Sequence, residues 1–492
     1  MSYGAQTIHL PIMRLSHFSS LALAASALAQ TSNDTRKCEA SRYNHKHRVF
    51  ISTDMSNEPD DQMSLVRFLT YANELDIQGI AGSTSIHKND SVDEMTIRTV
   101  ISAYGNVTVN LNAHVPASAP YPTASELLSK VTIGHPVYGL EALKLNLSDS
   151  AAAFVNVVDN SPEPTWFLAW GGTSILAEAL NHVSSTRNTS AVSNFVSKLR
   201  VYAISDQDNA GPWLRLHYPQ LFYIVSIHAM QDYARATWNG ISGEVFRPAD
   251  RGGPNSTLIT NEWLDEHVRD VGELGKHYPH YDFIMEGDTP SFFPLIKNGL
   301  GDPEHPEWGN WGGRYKLIDR SGANSRVYSD ATDFAEGVDG EGHLSNHASI
   351  WRWREAYQYD FANRMQWTLD GDYSKHNHAP IAIVNGQCDG ILQYEYRLND
   401  TVSLDASESW DPDNDNLNFE WFHYRDPVQE MSGYVARSLV SKNVTIVPDN
   451  EEGSAVKVTP LANLTMHFIL TVTDKRDMGV STYRRVILNP VA

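Results

Sequence analysis

The chain has 492 residues, of which 41% are hydrophobic, and a formal net charge of -21. That length implies more than one domain, and the apolar content is ample for packed cores. The acidic balance argues against nucleic acid or anionic membrane as the main partner.

In chain order, Arg14 precedes an apolar run over 18–28, and Ala27-Leu28-Ala29 offers a small-x-small cleavage site before Gln30. The run is too short to span a bilayer comfortably, so no membrane span is expected. We read 1–29 as a signal peptide, starting at Met1 or Met13, and 30–46 as a flexible polar arm. An ordinary buried helix is the competing reading. Asn33, Asn89, Asn106, Asn146, Asn188, Asn255, Asn399, Asn443 and Asn463 head glycosylation sequons, which fits a secreted, extracellular glycoprotein. Cys38 and Cys388 are the only cysteines. One disulfide and two free thiols both fit the sequence.

Residues 48–51 form a short β-favouring run, 62–74 carry an apolar helical face, and 77–81 read as a second strand. The turn of this β-α-β unit contains Asp54, Glu58, Asp60 and Asp61. Ligands bind at the carboxyl end of strands in open α/β sheets. Carboxylates packed this closely repel one another unless solvated or bridged by a cation, and oxygen ligands suit calcium or magnesium. An acidic N-cap cluster on the following helix is the alternative.

Further on, 165–170 and 199–204 read as buried strands. The first is followed by Gly171-Gly172-Thr173 and a helix over 174–182, the second by Asp206-Gln207-Asp208. Residues 282–285 continue the strand-like series into Glu286-Gly287-Asp288-Thr289-Pro290. Residues 301–314 form a loop displaying Trp308 and Trp311. A long helix follows over 348–368, with Trp351, Trp353, Tyr357, Phe361 and Met365 as core candidates. The β-then-α rhythm predicts an α/β fold, a mainly parallel sheet with helices on both faces, over 47–370. A polar linker spans 371–379. From 380 to 492 short alternating strands over 382–384, 402–404, 417–422, 456–458, 467–472 and 485–488 predict a β-sandwich with Trp421 in its core. Asp411, Asp413 and Asp415 lie in an Asp-rich turn that is either a calcium ligand set or a solvated Asx turn.

The turn Asp54-Met55-Ser56-Asn57-Glu58-Pro59-Asp60-Asp61 resembles the Asp-x-Asp-Pro-Gly-x-Asp-Asp signature of nucleoside hydrolases. It is closer to a secreted, nucleoside-hydrolase-like branch reading Thr-Asp-x-x-Asn-Glu-Pro-Asp-Asp-Gln, whose members are often labelled cellulose-binding proteins. The Gly171-Gly172-Thr173 and Glu286–Pro290 stretches strengthen it. The turn beginning Leu404-Asp405-Ala406-Ser407 resembles immunoglobulin-like modules of the polycystic-kidney-disease type.

The resemblance implies a calcium site at Asp54, Asp61, the Thr173 carbonyl and Asp288, with Asp54, Asp60 and Glu58 as catalytic carboxylates. Ser56 stands where the second signature Asp is expected, so Asp54, or else Glu58, inherits the base role. Gly287 stands where a late His is expected, leaving Glu286 or Asp288 in its place. Gln207, Asp208, Trp308 and Trp311 are candidates for the aglycone side. The implied function is hydrolysis of N-glycosyl or related glycosyl bonds of a nucleoside or carbohydrate with a calcium-activated water. The alternatives are a non-catalytic polysaccharide-binding protein on the same scaffold, or a structural wall protein.

Overall fold

The computed structural model describes residue 38 and residues 42–491, except 230–231, 248, 320, 322–325 and 429–442. The expected signal peptide and most of the expected arm lie outside the described residues, as does Asn33. Among the described residues, no helix is long and apolar enough to cross a membrane.

An eight-stranded sheet organises the first part of the chain. Its strands are β1 (His47–Thr53), β2 (Leu75–Gly82), β3 (Val131–Ile133), β4 (Thr165–Ala169), β5 (Leu199–Ser205), β6 (Phe222–Ser226), β7 (Tyr315–Leu317) and β8 (Arg326–Asp330). They lie in the order β3-β2-β1-β4-β5-β6-β8-β7, parallel throughout except for β7. Both faces are covered, so the central strands carry apolar residues on both sides. Along β1, Val49 and Ile51 join the core on one face while Phe50 points into the core on the other, where it packs against Phe154 and Phe167.

The strand order turns at β1. From β1 the chain runs outward through β2 to β3, then returns to β4 on the other side. The crevice at the carboxyl ends of β1 and β4 is therefore the topological switch point, where ligands bind in such sheets. The acidic turn leaves β1 there, and Gly171-Gly172 leaves β4 there.

Two expected elements differ. Residues 282–285 form bends rather than a strand, so Asp288 arrives on a loop and a short 3-10 turn at Thr289–Ser291. The long helix is broken at Arg352–Trp353 into Ala348–Trp351 and Arg354–Trp367. All five of its core candidates are nevertheless buried.

β9 (Asp333–Glu336) and β10 (Gly342–Ser345) form a separate antiparallel ribbon. The second part is a β-sandwich. One sheet orders β11 (Leu392–Tyr396), β17 (Ser481–Pro490), β16 (Met466–Asp474) and β13 (Leu417–Tyr424). The other orders β12 (Val402–Asp405), β15 (Ala455–Pro460) and β14 (Val444–Pro448). Residues 382–384 contribute one isolated bridge, Val384 to Gln387, rather than a strand. Trp421 is half-buried, not buried, because β13 is the edge strand and leaves one flank open. Its neighbours Phe422 and Tyr424 turn the other way and pack onto the α/β core.

That seam is tightly built. Tyr424 donates to Asp333 at 2.6 Å, Arg485 donates to the Leu300 carbonyl at 2.6 Å, and Tyr483 N–H donates to the Asn298 carbonyl at 2.8 Å. Cys38 and Cys388 are joined as a disulfide, tying the arm to the sandwich.

His467 on β16 accepts a hydrogen bond from Arg485 at 3.0 Å. Burial, then the Arg485 charge, pushes its pKa down to about 2 from 6.5. The unfolded chain takes the proton that the folded chain refuses. The neutral-His contribution is therefore complete above pH 6.5 and is lost as the pH falls below it. By pH 5 the loss from this one group is about 2 kcal/mol. Melting curves at pH 7 and pH 5 should show it as a difference, with wild type losing about 2 kcal/mol more than His467→Asn over that range.

Candidate functional site

At the switch point the chain encloses a cavity of about 240 Å³. Asp54, Glu58, Asp60, Asp61 and Asp288 supply carboxylates to its wall, and Trp170, Trp238, Phe283 and Ile284 supply apolar surface. Ser205, Gln207, His87, Tyr233, Arg247 and Gly287 complete the named polar and small positions.

The turn after β1 explains how so many acids converge. Asn57 N–H donates to the Asp54 carbonyl at 3.2 Å, closing a tight turn. Ser56 takes a positive φ of 69° and points away from the cavity, where its hydroxyl donates to Asp93 at 2.6 Å. Asp60 and Asp61 then open the helix Asp60–Thr70, where the helix dipole favours negative charge. The glycines opposite make room. A Cβ at Gly171 would stand 2.6 Å from Asp54 Oδ1, and one at Gly287 would stand 2.5 Å from Asp60 Oδ2.

Donor oxygens of Asp60, Asp61 and Asp288 lie within 4.8 Å of one another, and all three residues are buried. Thr53 donates to Asp61, but Asp288 Oδ2 is buried with no hydrogen-bond partner among the described residues. Burial raises the pKa of every acid here. Asp60 is pushed up to about 8 by burial and then by Glu58 and Asp54. Asp61 is raised well above the usual carboxylate range by burial and then by Asp54 and Asp60. Asp288 is raised likewise by burial and then by Asp61 and Asp60. Burial also raises Asp54, against a hydrogen bond from Ser85. Such a cluster is self-repulsive without a cation, and its all-oxygen donors match a hard divalent ion.

The other expected site residues divide into two groups. Gln207 lines the cavity and donates to the Trp170 carbonyl. Asp208, Thr173, Glu286, Trp308 and Trp311 are not among the lining residues. Asp208 accepts from Thr173 N–H at 2.8 Å and Ala210 N–H at 2.9 Å, so it braces the starts of two helices. The Thr173 carbonyl accepts from Ala177 N–H at 3.0 Å as the first bond of its helix. Glu286 is fully buried, and its carboxylate is taken up by Arg67, Tyr278 and Thr289 rather than offered to a substrate. Trp308 stacks on His305 at 3.9 Å and meets His467 of the sandwich, and Trp311 is buried between Phe293 and Tyr483. Both indoles serve the seam between the two parts, because the loop that displays them folds against β16 and β17.

Sequence reasoning missed His87, Trp170, Ser205, Tyr233, Trp238 and Arg247. Trp170 and Ser205 end or follow strands already recognised, so strand-end position alone was a usable signal. Tyr233, Trp238 and Arg247 arrive on irregular turns after β6 and carry no periodic signature.

The glycine pair is a prediction in itself. A Cβ at Gly172 would meet the Asp208 carboxylate and stand 2.7 Å from the Thr84 carbonyl. Gly172→Ala should therefore lower stability by about 1–3 kcal/mol, seen in urea melts.

The sequence model described as cellulose-binding Sde182, nucleoside hydrolase-like domain, matches residues 48–315. The model described as cellulose-binding protein Sde0182, C-terminal domain, matches residues 401–490. A solved structure of a nucleoside hydrolase-related hypothetical protein from Saccharophagus degradans, associated with carbohydrate metabolism, is 31% identical. The match covers 91% of this chain and 100% of that one, with a TM-score of 0.73. The type III effector XopQ, solved with adenosine diphosphate ribose, is 11% identical over 69% of this chain and 99% of its own, with a TM-score of 0.32. An inosine-uridine preferring nucleoside hydrolase from Bacillus anthracis is 14% identical over 66% and 99%, with a TM-score of 0.28. At those scores neither bears on this chain's chemistry. No curated protein matches the sequence. The chain belongs to the cellulose-binding Sde182 family, with its nucleoside hydrolase-like domain followed by the family's C-terminal domain.

Proposed function

We propose that the acidic cavity hydrolyses an N-glycosyl or related glycosyl bond and holds a calcium ion on Asp60, Asp61 and Asp288. The observation that carries this reading is the orphaned Asp288 Oδ2, buried beside two more carboxylates at the sheet's switch point. When bound, calcium supplies positive charge that makes a nearby water a stronger nucleophile.

The chain's own residues do the rest. Asp54 lines the cavity with a raised pKa, and it takes the proton from the attacking water. Asp60 also accepts sugar hydroxyls. The fixed negative charge stabilises the oxocarbenium-like sugar as the glycosyl bond breaks. Trp170 and Trp238 hold the wall apolar, with their indole N–H groups tied back to Ser291 at 2.8 Å and Ser205 at 3.0 Å.

Equilibrium dialysis with calcium after chelation tests the site. Wild-type protein should bind one ion, Asp61→Ala and Asp288→Ala should weaken binding by at least tenfold, and excess calcium should partly restore Asp61→Ala. Unaltered binding in both variants would move the ion elsewhere.

A second reading has its own support. Ser56, not an Asp, stands at that signature position and lies outside the cavity, and the matching family is described as cellulose-binding. In that reading the scaffold holds polysaccharide without cleaving it.

We also assign the chain to the outside of the cell. The disulfide fits an oxidising compartment. Among the sequon asparagines, Asn89, Asn106, Asn146, Asn188, Asn399 and Asn463 are exposed, while Asn255 and Asn443 are half-buried.

A further inference from the structure

The cavity's charges are sorted. Five of its lining residues are carboxylates, and Arg247 is the one arginine or lysine among them. Arg247 is not their counter-ion. Among the described residues it makes no ion pair or side-chain hydrogen bond, and its Nη1 is buried with no partner. Burial lowers its pKa, and the acid that partly offsets this is Asp232, not one of the five lining carboxylates. Its guanidinium carbon lies 5.8 Å from the centre of the Trp238 ring, so indole and cation share one wall. Tyr233 stands on the same side, joined to His87 Nε2 at 3.0 Å. The position before Asp288 is Gly287, which offers no proton donor, and Asp60 fills the space a side chain there would need.

Arg247 is half-buried, yet a guanidinium nitrogen buried without a partner is costly, and a cavity that keeps one has a use for it. Glycosyl cleavage splits charge in two directions. Positive charge grows on the sugar while the electron pair of the broken bond moves onto the leaving group. The acidic side of this cavity matches the first charge. We infer that Arg247 meets the second, stabilising the departing aglycone as the glycosyl bond breaks.

This rests on the hydrolase reading above. In the step, the bond from the anomeric carbon to the aglycone nitrogen or oxygen breaks, and both electrons leave with the aglycone. The water oxygen bonds to the anomeric carbon, and the water proton passes to Asp54. The aglycone leaves as an anion hydrogen-bonded to Arg247 and takes its proton from solvent water. Because a guanidinium stays charged at all relevant pH values, Arg247 acts by charge and hydrogen bonding rather than by proton transfer.

The test compares leaving groups. Wild type, Arg247→Gln and Arg247→Lys are assayed on 4-nitrophenyl riboside, whose leaving group departs unaided, and on inosine and uridine, whose leaving groups do not. Arg247→Gln should lose on the order of 10²–10³ in kcat/KM on the nucleosides and less than about tenfold on 4-nitrophenyl riboside. Arg247→Lys should recover part of the loss, and calcium binding should stay at the wild-type level in both variants. An equal loss on all three substrates, or no loss on any, would overturn the assignment while leaving the hydrolase reading intact. A wild type that cleaves none of them would overturn both.

Discussion

Asp54→Asn is expected to abolish turnover while leaving the fold and calcium binding in place. Asparagine keeps the size of aspartate and one acceptor oxygen, so the hydrogen bond that Asn57 donates to Asp54 Oδ2 at 3.3 Å has a replacement acceptor. The substitution removes the ability to take a proton. Loss of a positioned general base costs on the order of 10²–10⁴ in rate. The loss should fall on kcat rather than KM, because Asp60 and the apolar wall still hold the sugar. A melting temperature within a degree or two of wild type would confirm that only chemistry was lost. If Asp54→Asn stays active, Glu58 becomes the base, since it lines the same cavity and burial raises its pKa too.

Glu286→Ala should have the largest effect on stability. Arg67 and Glu286 are both fully buried and ion-paired, and Arg67 also lies over the Phe361 ring at 4.0 Å. Removing the carboxylate strands a guanidinium in the core and orphans the Tyr278 hydroxyl, which donates to Glu286 at 2.5 Å. Breaking a buried pair from one side costs about 3–5 kcal/mol. Glu286 also stands two residues before Asp288, so losing its anchors to Arg67 and Tyr278 loosens the loop that delivers the third carboxylate. Urea melts should therefore show a large drop, and calcium affinity should fall with it. The double variant Arg67→Met with Glu286→Leu should recover much of the stability, because it removes both charges at similar volume.

These two residues show what the sequence made visible. Asp54, Asp60 and Asp61 were legible because a β-favouring run, an acidic turn and an apolar helical face follow one another without interruption. Asp288 was legible only through the family resemblance, since its loop follows no strand. Glu286 misled for the same reason: an acid beside a signature Asp reads as functional, and only the fold reveals Arg67 waiting in the core. Trp308 and Trp311 misled because an aromatic loop looks like a binding loop until a second domain is packed against it. Arg247, Tyr233 and Trp238 gave no signal, as irregular turns leave no period in the sequence. In the sandwich, alternation identified β12, β13, β15, β16 and β17 but not β11 or β14, although Leu392–Tyr396 alternates between buried and exposed positions along β11. Alternation placed Trp421 on the correct face of β13, yet it does not reveal which strand lies at a sheet edge.

The most direct measurement is release of free base or reducing sugar from a panel of nucleosides and glycosides by the calcium-loaded full chain, with and without chelator, alongside retention on insoluble cellulose. The proposed chemistry predicts product from at least one N-glycosyl substrate, lost on chelation, restored by calcium and absent in Asp54→Asn. Calcium-loaded protein that is retained on cellulose and releases nothing from any substrate would contradict it and leave the binding role in its place.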